Sequence, residues 1–338
     1  MRSPLSLLVA AALILGGCMA TSSSTSANLF NRGVTALNAQ RTPTLPTIEQ
    51  QVSQQNIETF VGTLTGQRPM PDGRRIPERG TPEGRNLTRE YISKTLTGFG
   101  YDVELHNYRN TGTNVFTRLM AHTPTDEYIL VGAHMDSVRN AGADDNSSGS
   151  SVVLETARVM KQLEGRKVNV IFAWFDEEEI GLIGSRAMAR DFKKQGLRVT
   201  SVHTVDMLGW DSNGNNAIEI EQPDSYLWDY YLMVNEKHNL KLPLKRTSSG
   251  DTDHVAFRNE GYVAVGLCEE WVGGDTTPHY HRRTDTFDNI HLAYMTNGTR
   301  LLSAVISDMA RQVPKPLITQ IVPHHHFPAR AREFHSAY

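Results

Sequence analysis

The chain has 338 residues, 34 Lys and Arg against 37 Asp and Glu, a net charge of −3, and two cysteines. At roughly 100–200 residues per domain this is one large domain or two small ones, and 39% hydrophobic against 21% charged residues suits a packed core. The near-neutral charge without a long basic block excludes a general nucleic-acid coat protein, a mean hydropathy of −0.40 excludes a polytopic membrane protein, and two cysteines exclude a disulfide scaffold or a Cys-based zinc finger.

The N-terminus reads as an export signal. Met1-Arg2 supplies a positive charge, residues 5–15 form an apolar run too short for a comfortable membrane span, and Gly16-Gly17-Cys18 follows at once. Leu15-Gly16-Gly17-Cys18 resembles a bacterial lipobox. That implies a signal peptide over residues 1–17 and a lipid on Cys18 that anchors the exported chain to the cell envelope. Met19 rather than Asp follows the cysteine, which favours the outer membrane. Cys268 is then left without a partner for an intramolecular disulfide. Residues 18–45 are rich in Ser, Thr, Ala and Asn and read as a flexible tether. Residues 46–315 read as the folded domain. Residues 316–338, with His324-His325-His326, Arg330 and Arg332, read as a poorly ordered tail.

Within the folded domain, residues 48–64 and 84–99 carry apolar positions near helical spacing. Residues 101–108 and 114–122 alternate like strands. Short, nearly continuous apolar runs follow at 127–133, 168–175, 199–205 and 262–267, and helical patterns fill 151–163, 182–195, 225–238 and 291–312. Buried strands alternating with helices predict an α/β three-layer sandwich around a mixed, mostly parallel sheet. In such sheets, ligands gather at the carboxyl ends of strands.

The chemically expressive residues fall at those ends. His134 and Asp136 continue directly from the run 127–133. Asp144-Asp145-Asn146 precedes a helix. Asp176-Glu177-Glu178-Glu179 follows the run 168–175, Asp206 follows 199–205, and His279-Tyr280-His281 lies in a later polar loop. Each group alone has an ordinary explanation: a loop histidine, a helix N-cap, a solvated acidic turn. Four adjacent acids, however, repel one another, and a divalent cation offsets that repulsion. Taken together, His, Asp, Glu, Asp and His at one edge of a sheet are a hard, mixed N/O donor set of the kind that suits zinc.

In this order the clusters AHMDS, GADDNSSG, EEIGLIGS, VDMLG and HYHRRTDT resemble the co-catalytic di-zinc aminopeptidases of the bacterial leucyl aminopeptidase and aminopeptidase Y type. The likeness runs from about Pro77 to about Ser307. It implies two Zn²⁺ per chain. His134 and Asp206 would ligate one, Glu179 and His281 the other, with Asp145 bridging them. It further implies Asp136 as the partner that orients His134, Glu178 as general base, and a supporting place for Asp253 near the substrate pocket. Glu178 and Glu179 are chosen from the acidic run because they directly precede Ile180-Gly181-Leu182, and His281 over His279 because Asp285-Thr286 follows it at the family's spacing. The implied substrates are peptides with a free N-terminus, whose amine the extra acids Asp176 and Glu177 would favour. Trp210, Tyr262 and Trp271 are candidates for the pocket walls. Two other enzyme readings of the same fold are a glutaminyl cyclase, which forms N-terminal pyroglutamate, and a same-clan carboxypeptidase or amidohydrolase. A binding-only surface lipoprotein is the non-enzyme reading, disfavoured because no ligand or base is missing.

Overall fold

The computed structural model describes residues 46–312. The signal, lipid-anchor, tether and tail expectations lie outside the described residues, apart from the tether's neighbour Pro46 onward. A short 3-10 turn, Glu49–Gln51, leads to α1 (Gln54–Leu64) and α2 (Pro82–Gly98). β1 (Val103–Asn107), β2 (Thr113–Leu119) and β3 (Glu127–His134) follow, then α3 (Gly149–Met160), β4 (Asn169–Phe175), α4 (Ile183–Lys194) and β5 (Arg198–Val205). β6 (Ile218–Glu221), α5 (Ser225–Lys237), β7 (Leu244–Thr247), α6 (Asp253–Asn259), β8 (Ala264–Cys268) and α7 (Leu292–Arg311) complete the domain.

All eight strands form one sheet in the order β1-β2-β4-β3-β5-β8-β6-β7. The centre is parallel (β4 with β3, β3 with β5, β5 with β8), as is β6 with β7; β1 with β2, β2 with β4 and β6 with β8 are antiparallel. The continuous apolar runs occupy the central strands because both of their faces are buried. In β4, Val170, Phe172 and Trp174 enter a core shared with α1, α3, α5 and α7, while Ile171, Ala173 and Phe175 enter a second core with Met188 and Phe192 of α4 and Phe257 of α6. This alternation is the two-residue period of a strand covered by helices on both sides. The result is the expected three-layer α/β sandwich.

Register places the site. His134 stands opposite Phe175, so the segments leaving β3 and β4 emerge side by side. Gly132 pairs with Thr204 and Val205 with Leu267, which brings the ends of β5 and β8 to the same edge. Four elements depart from the sequence expectation. Residues 48–64 are not one helix: the chain breaks at Val52-Ser53, and the Ser53 hydroxyl caps α1 by accepting the Asn56 N–H at 3.3 Å. β6, β7 and α6 were not anticipated. The first two have four residues each, too few for a period to register, and β6 buries Glu219 and Glu221, which reads as solvent-facing polarity.

Candidate metal centre

Five side chains from five segments converge at the carboxyl edge of the sheet. His134 ends β3, Asp206 follows β5, Glu179 lies in the turn after β4, Asp145 lies in the irregular turn Ala143–Ser148 before α3, and His281 lies in the loop between β8 and α7. His134 Nε2 is 3.2 Å from Asp145 Oδ1 and 3.3 Å from Asp206 Oδ1. His281 Nε2 is 3.2 Å from Asp145 Oδ2 and 2.9 Å from Glu179 Oε2. His134, Asp145 and Asp206 thus present one donor set, and Asp145, Glu179 and His281 a second, each with ligand atoms within 4.8 Å of one another. Asp145 belongs to both, one oxygen facing each histidine. Glu178 belongs to neither, yet its Oε2 sits 4.0 Å from His134 Nε2.

The supports are as specific as the donors. Asp136 does more than face His134. Its backbone carbonyl lies 3.1 Å from His134 Nδ1, closer than its carboxylate at 3.5 Å, and that carboxylate accepts the N–H of Glu178 at 3.1 Å and of Glu179 at 3.3 Å. Asp285 holds the opposite wall by accepting the N–H groups of Asp144 at 2.8 Å and Asp145 at 3.1 Å. Glu179 Oε1 accepts the Val138 N–H at 3.0 Å, which leaves Oε2 for His281. Behind them the buried Arg79 guanidinium donates to the carbonyls of Met135 at 3.0 Å, Leu64 at 3.2 Å and Gly142 at 2.8 Å, and to Ala141. Sequence reasoning singles out neither Arg79 nor this role of Asp285, because both act on backbone groups that leave no motif. Glu177, Met207 and His281 adopt φ of 62°, 56° and 55°. Non-glycine residues hold that left-handed region only where the surroundings impose it.

Burial and mutual proximity displace the proton affinities. Burial pushes the Glu178 carboxyl well above its usual range, and pushes Glu179 up to about 7. Burial would also raise Asp145, but hydrogen bonds from the two histidines outweigh it and hold that carboxylate below its usual value. For His281, burial lowers the pKa, but Asp145 and Glu179 overcome it and raise the imidazole to about 9. No lysine or arginine forms an ion pair with Asp145, Glu178, Glu179 or Asp206 among the described residues, so the donor set fits a bound divalent metal such as zinc.

The rest of the acidic run faces elsewhere, which corrects one expectation. Asp176 is ion-paired with Arg85 at 3.1 Å and Arg89 at 3.3 Å. Glu177 is paired with Arg85 and Arg109, each at 2.7 Å, and accepts the Tyr108 hydroxyl at 3.0 Å. Those two acids have cationic partners already and are not available to a substrate amine. Asp144 turns away to accept the Gly209 N–H at 2.9 Å, and His279 packs against Trp210 and contacts Thr284. Asp253 is buried at the start of α6, close enough to Glu178 to raise its pKa, but does not line the cavity.

A cavity opens over Asp145, Glu178, Glu179 and Asp206. Trp271 lines it together with Met207 and Cys268. Of the other candidate wall residues, Trp210 stacks on His291 and Tyr262 packs on Phe257 in the second core.

Residues 114–306 match the sequence model of Peptidase family M28. The chain belongs to this family. It is 28% identical over 207 residues to a protein of Trichophyton verrucosum described as probable leucine aminopeptidase 1, covering 55% of each chain. The chain thus spans about half the length of that curated relative. A zinc aminopeptidase structure from Bacillus subtilis superposes with a TM-score of 0.69 at 15% identity, covering 77% of this chain and 96% of that one. A glutaminyl cyclase from Porphyromonas gingivalis superposes with a TM-score of 0.62 at 17% identity, covering 76% and 99%. At these identities the two structures share the fold.

Proposed function

We propose that the chain is a zinc-dependent aminopeptidase that removes N-terminal residues from peptides. The observation that carries this reading is the placement of Glu178: a buried carboxyl, facing the cavity, 4.0 Å from His134 of one donor set, next in the chain to Glu179 of the other, and part of neither. His134 and Asp206 would hold one zinc, Glu179 and His281 a second, and Asp145 would be shared between them. When bound, the zinc pair would polarise the scissile carbonyl and make water acidic enough to attack it at neutral pH.

Glu178 takes a proton from the attacking water and delivers it to the leaving amine as the C–N bond breaks, so no net proton is consumed by the side chain. Its buried environment favours holding that proton between the two steps. Asp136 fixes the approach of both glutamates through their backbone N–H groups, and Asp285 fixes Asp145 in the same way. A peptide lying here needs its free N-terminus at the acidic edge.

Zinc content of the purified protein, with identification of the product released from a glutaminyl peptide, tests the reading. Two zinc ions per chain and free glutamine are expected. One zinc per chain with ammonia and a pyroglutamyl product would support a glutaminyl cyclase instead.

A further inference from the structure

The walls of the cavity carry six carboxylates, four of which are Asp145, Glu178, Glu179 and Asp206 of the metal centre. Glu221 and Asp251 remain. Glu221 ends β6 opposite Gly266 of β8 and is 1% exposed. Its carboxylate accepts hydroxyl hydrogen bonds from Ser249 and, at 3.5 Å, Thr252. Its single ionisable partner within 4.0 Å among the described residues is His254, at 3.7 Å. Burial keeps that imidazole neutral, its pKa pushed down to about 3, so it supplies no charge. The nearby cations are committed elsewhere: Lys245 pairs with Glu270, and Arg258 donates to the carbonyls of Gln222 and Ala264 and pairs with Asp224.

Room for this acid is built in. A Cβ on Gly266 would lie 2.3 Å from Glu221 Oε2 and 2.8 Å from His254 Nδ1, so any side chain there would displace the carboxylate. Burial, then the like charges of Asp206, Glu219 and Asp251, push the proton affinity of Glu221 up to about 8. Alone, this acid holds a proton at neutral pH; ionised, it needs a cation beside it. Met207 and Trp271 add apolar surface to the same cavity.

We propose that Glu221 and Asp251 form a specificity wall for an N-terminal residue with a long cationic side chain, lysine or arginine. The aliphatic stem lies along Met207 and Trp271, and the charged end replaces the cation that Glu221 lacks. This rests on the aminopeptidase reading of the same cavity.

The test measures kcat/KM for lysyl-, arginyl- and leucyl-p-nitroanilide with the wild type, Glu221→Gln and Asp251→Asn, alongside calorimetric binding of lysinamide and norleucinamide to the zinc-loaded protein. The wild type should prefer the cationic substrates. Glu221→Gln should lower lysyl and arginyl kcat/KM by about 10-fold or more, mainly through KM, and change leucyl turnover by less than about 2-fold. Asp251→Asn, at an exposed position where folding is not at stake, should act in the same direction by a smaller factor. Leucyl preference in the wild type, or a lysyl-to-leucyl ratio untouched by both substitutions, overturns the proposal while leaving the aminopeptidase intact. Should no aminoacyl anilide be cleaved, the aminopeptidase reading fails. Lysinamide selectivity lost in Glu221→Gln would then still support the wall, and equal binding of the two amides would overturn it.

Discussion

Asp176 and Glu177 form one half of an acidic run, Glu178 and Glu179 the other, and the two halves live in opposite electrostatic surroundings. The first pair turns toward α2 and the β1–β2 connection, where Arg85, Arg89 and Arg109 neutralise it. The second pair turns toward the cavity, where the nearest ionisable partners are histidines and other acids. Residue type is nearly the same throughout. What differs is the charge that distant segments bring alongside, and that decides whether a buried carboxylate is a structural ion pair or a site with proton affinities shifted by several neighbours.

That contrast can be broken one half at a time. Glu178→Gln should lower kcat by about 10²–10⁴-fold while zinc content, read by elemental analysis, stays at the wild-type level. A variant that binds zinc and turns over normally would remove Glu178 from the reaction. Arg85→Ala should have the converse signature. It strips Asp176 and Glu177 of a shared, largely buried partner and should cost about 3 kcal/mol in urea unfolding, with kcat/KM of the folded fraction close to wild type. A large loss of turnover without loss of stability would mean that the two halves are not separate.

Asp136→Asn tests the link between the halves and the metal centre. Asparagine keeps one acceptor oxygen where the carboxylate has two, so one of the Glu178 and Glu179 N–H groups loses its partner. Metal affinity or activity should fall by about 10–100-fold. The metal centre also predicts a dependence on pH. Without metal, His281 holds its proton up to about pH 9 and Glu179 up to about pH 7, and both must release it to act as donors. Zinc uptake against a competing chelator should therefore strengthen as pH rises, by at least about tenfold per unit between pH 7 and 9. Affinity independent of pH over that window would contradict the donor assignment of His281.

How much of this was legible in the sequence follows from the same physics. The central strands were, because a strand buried on both faces is an unbroken apolar run. β6 was not, since its alternating Ile and Glu residues read as half-exposed while Glu219 and Glu221 are both buried. The residues that converge at the sheet edge were legible from the order of their motifs, not from their chemistry one by one. Residue chemistry does not separate Glu177 from Glu178; their position relative to Ile180-Gly181-Leu182 does, and in the fold the separation comes from arginines 68 to 92 positions away in the chain. Arg79, the backbone-holding role of Asp285 and the Glu221 wall leave no such signal for a related reason: they act on backbone groups, or on space that Gly266 leaves open, and neither forms a pattern along the chain.

The central claim is that this cavity hydrolyses a peptide bond next to a free amine at a metal centre served by Glu178. The most direct measurement compares zinc-loaded protein acting on an aminoacyl-p-nitroanilide and on its N-acetylated form. Cleavage of the free-amine substrate, abolished by acetylation, is the predicted result; equal cleavage of both would contradict the account.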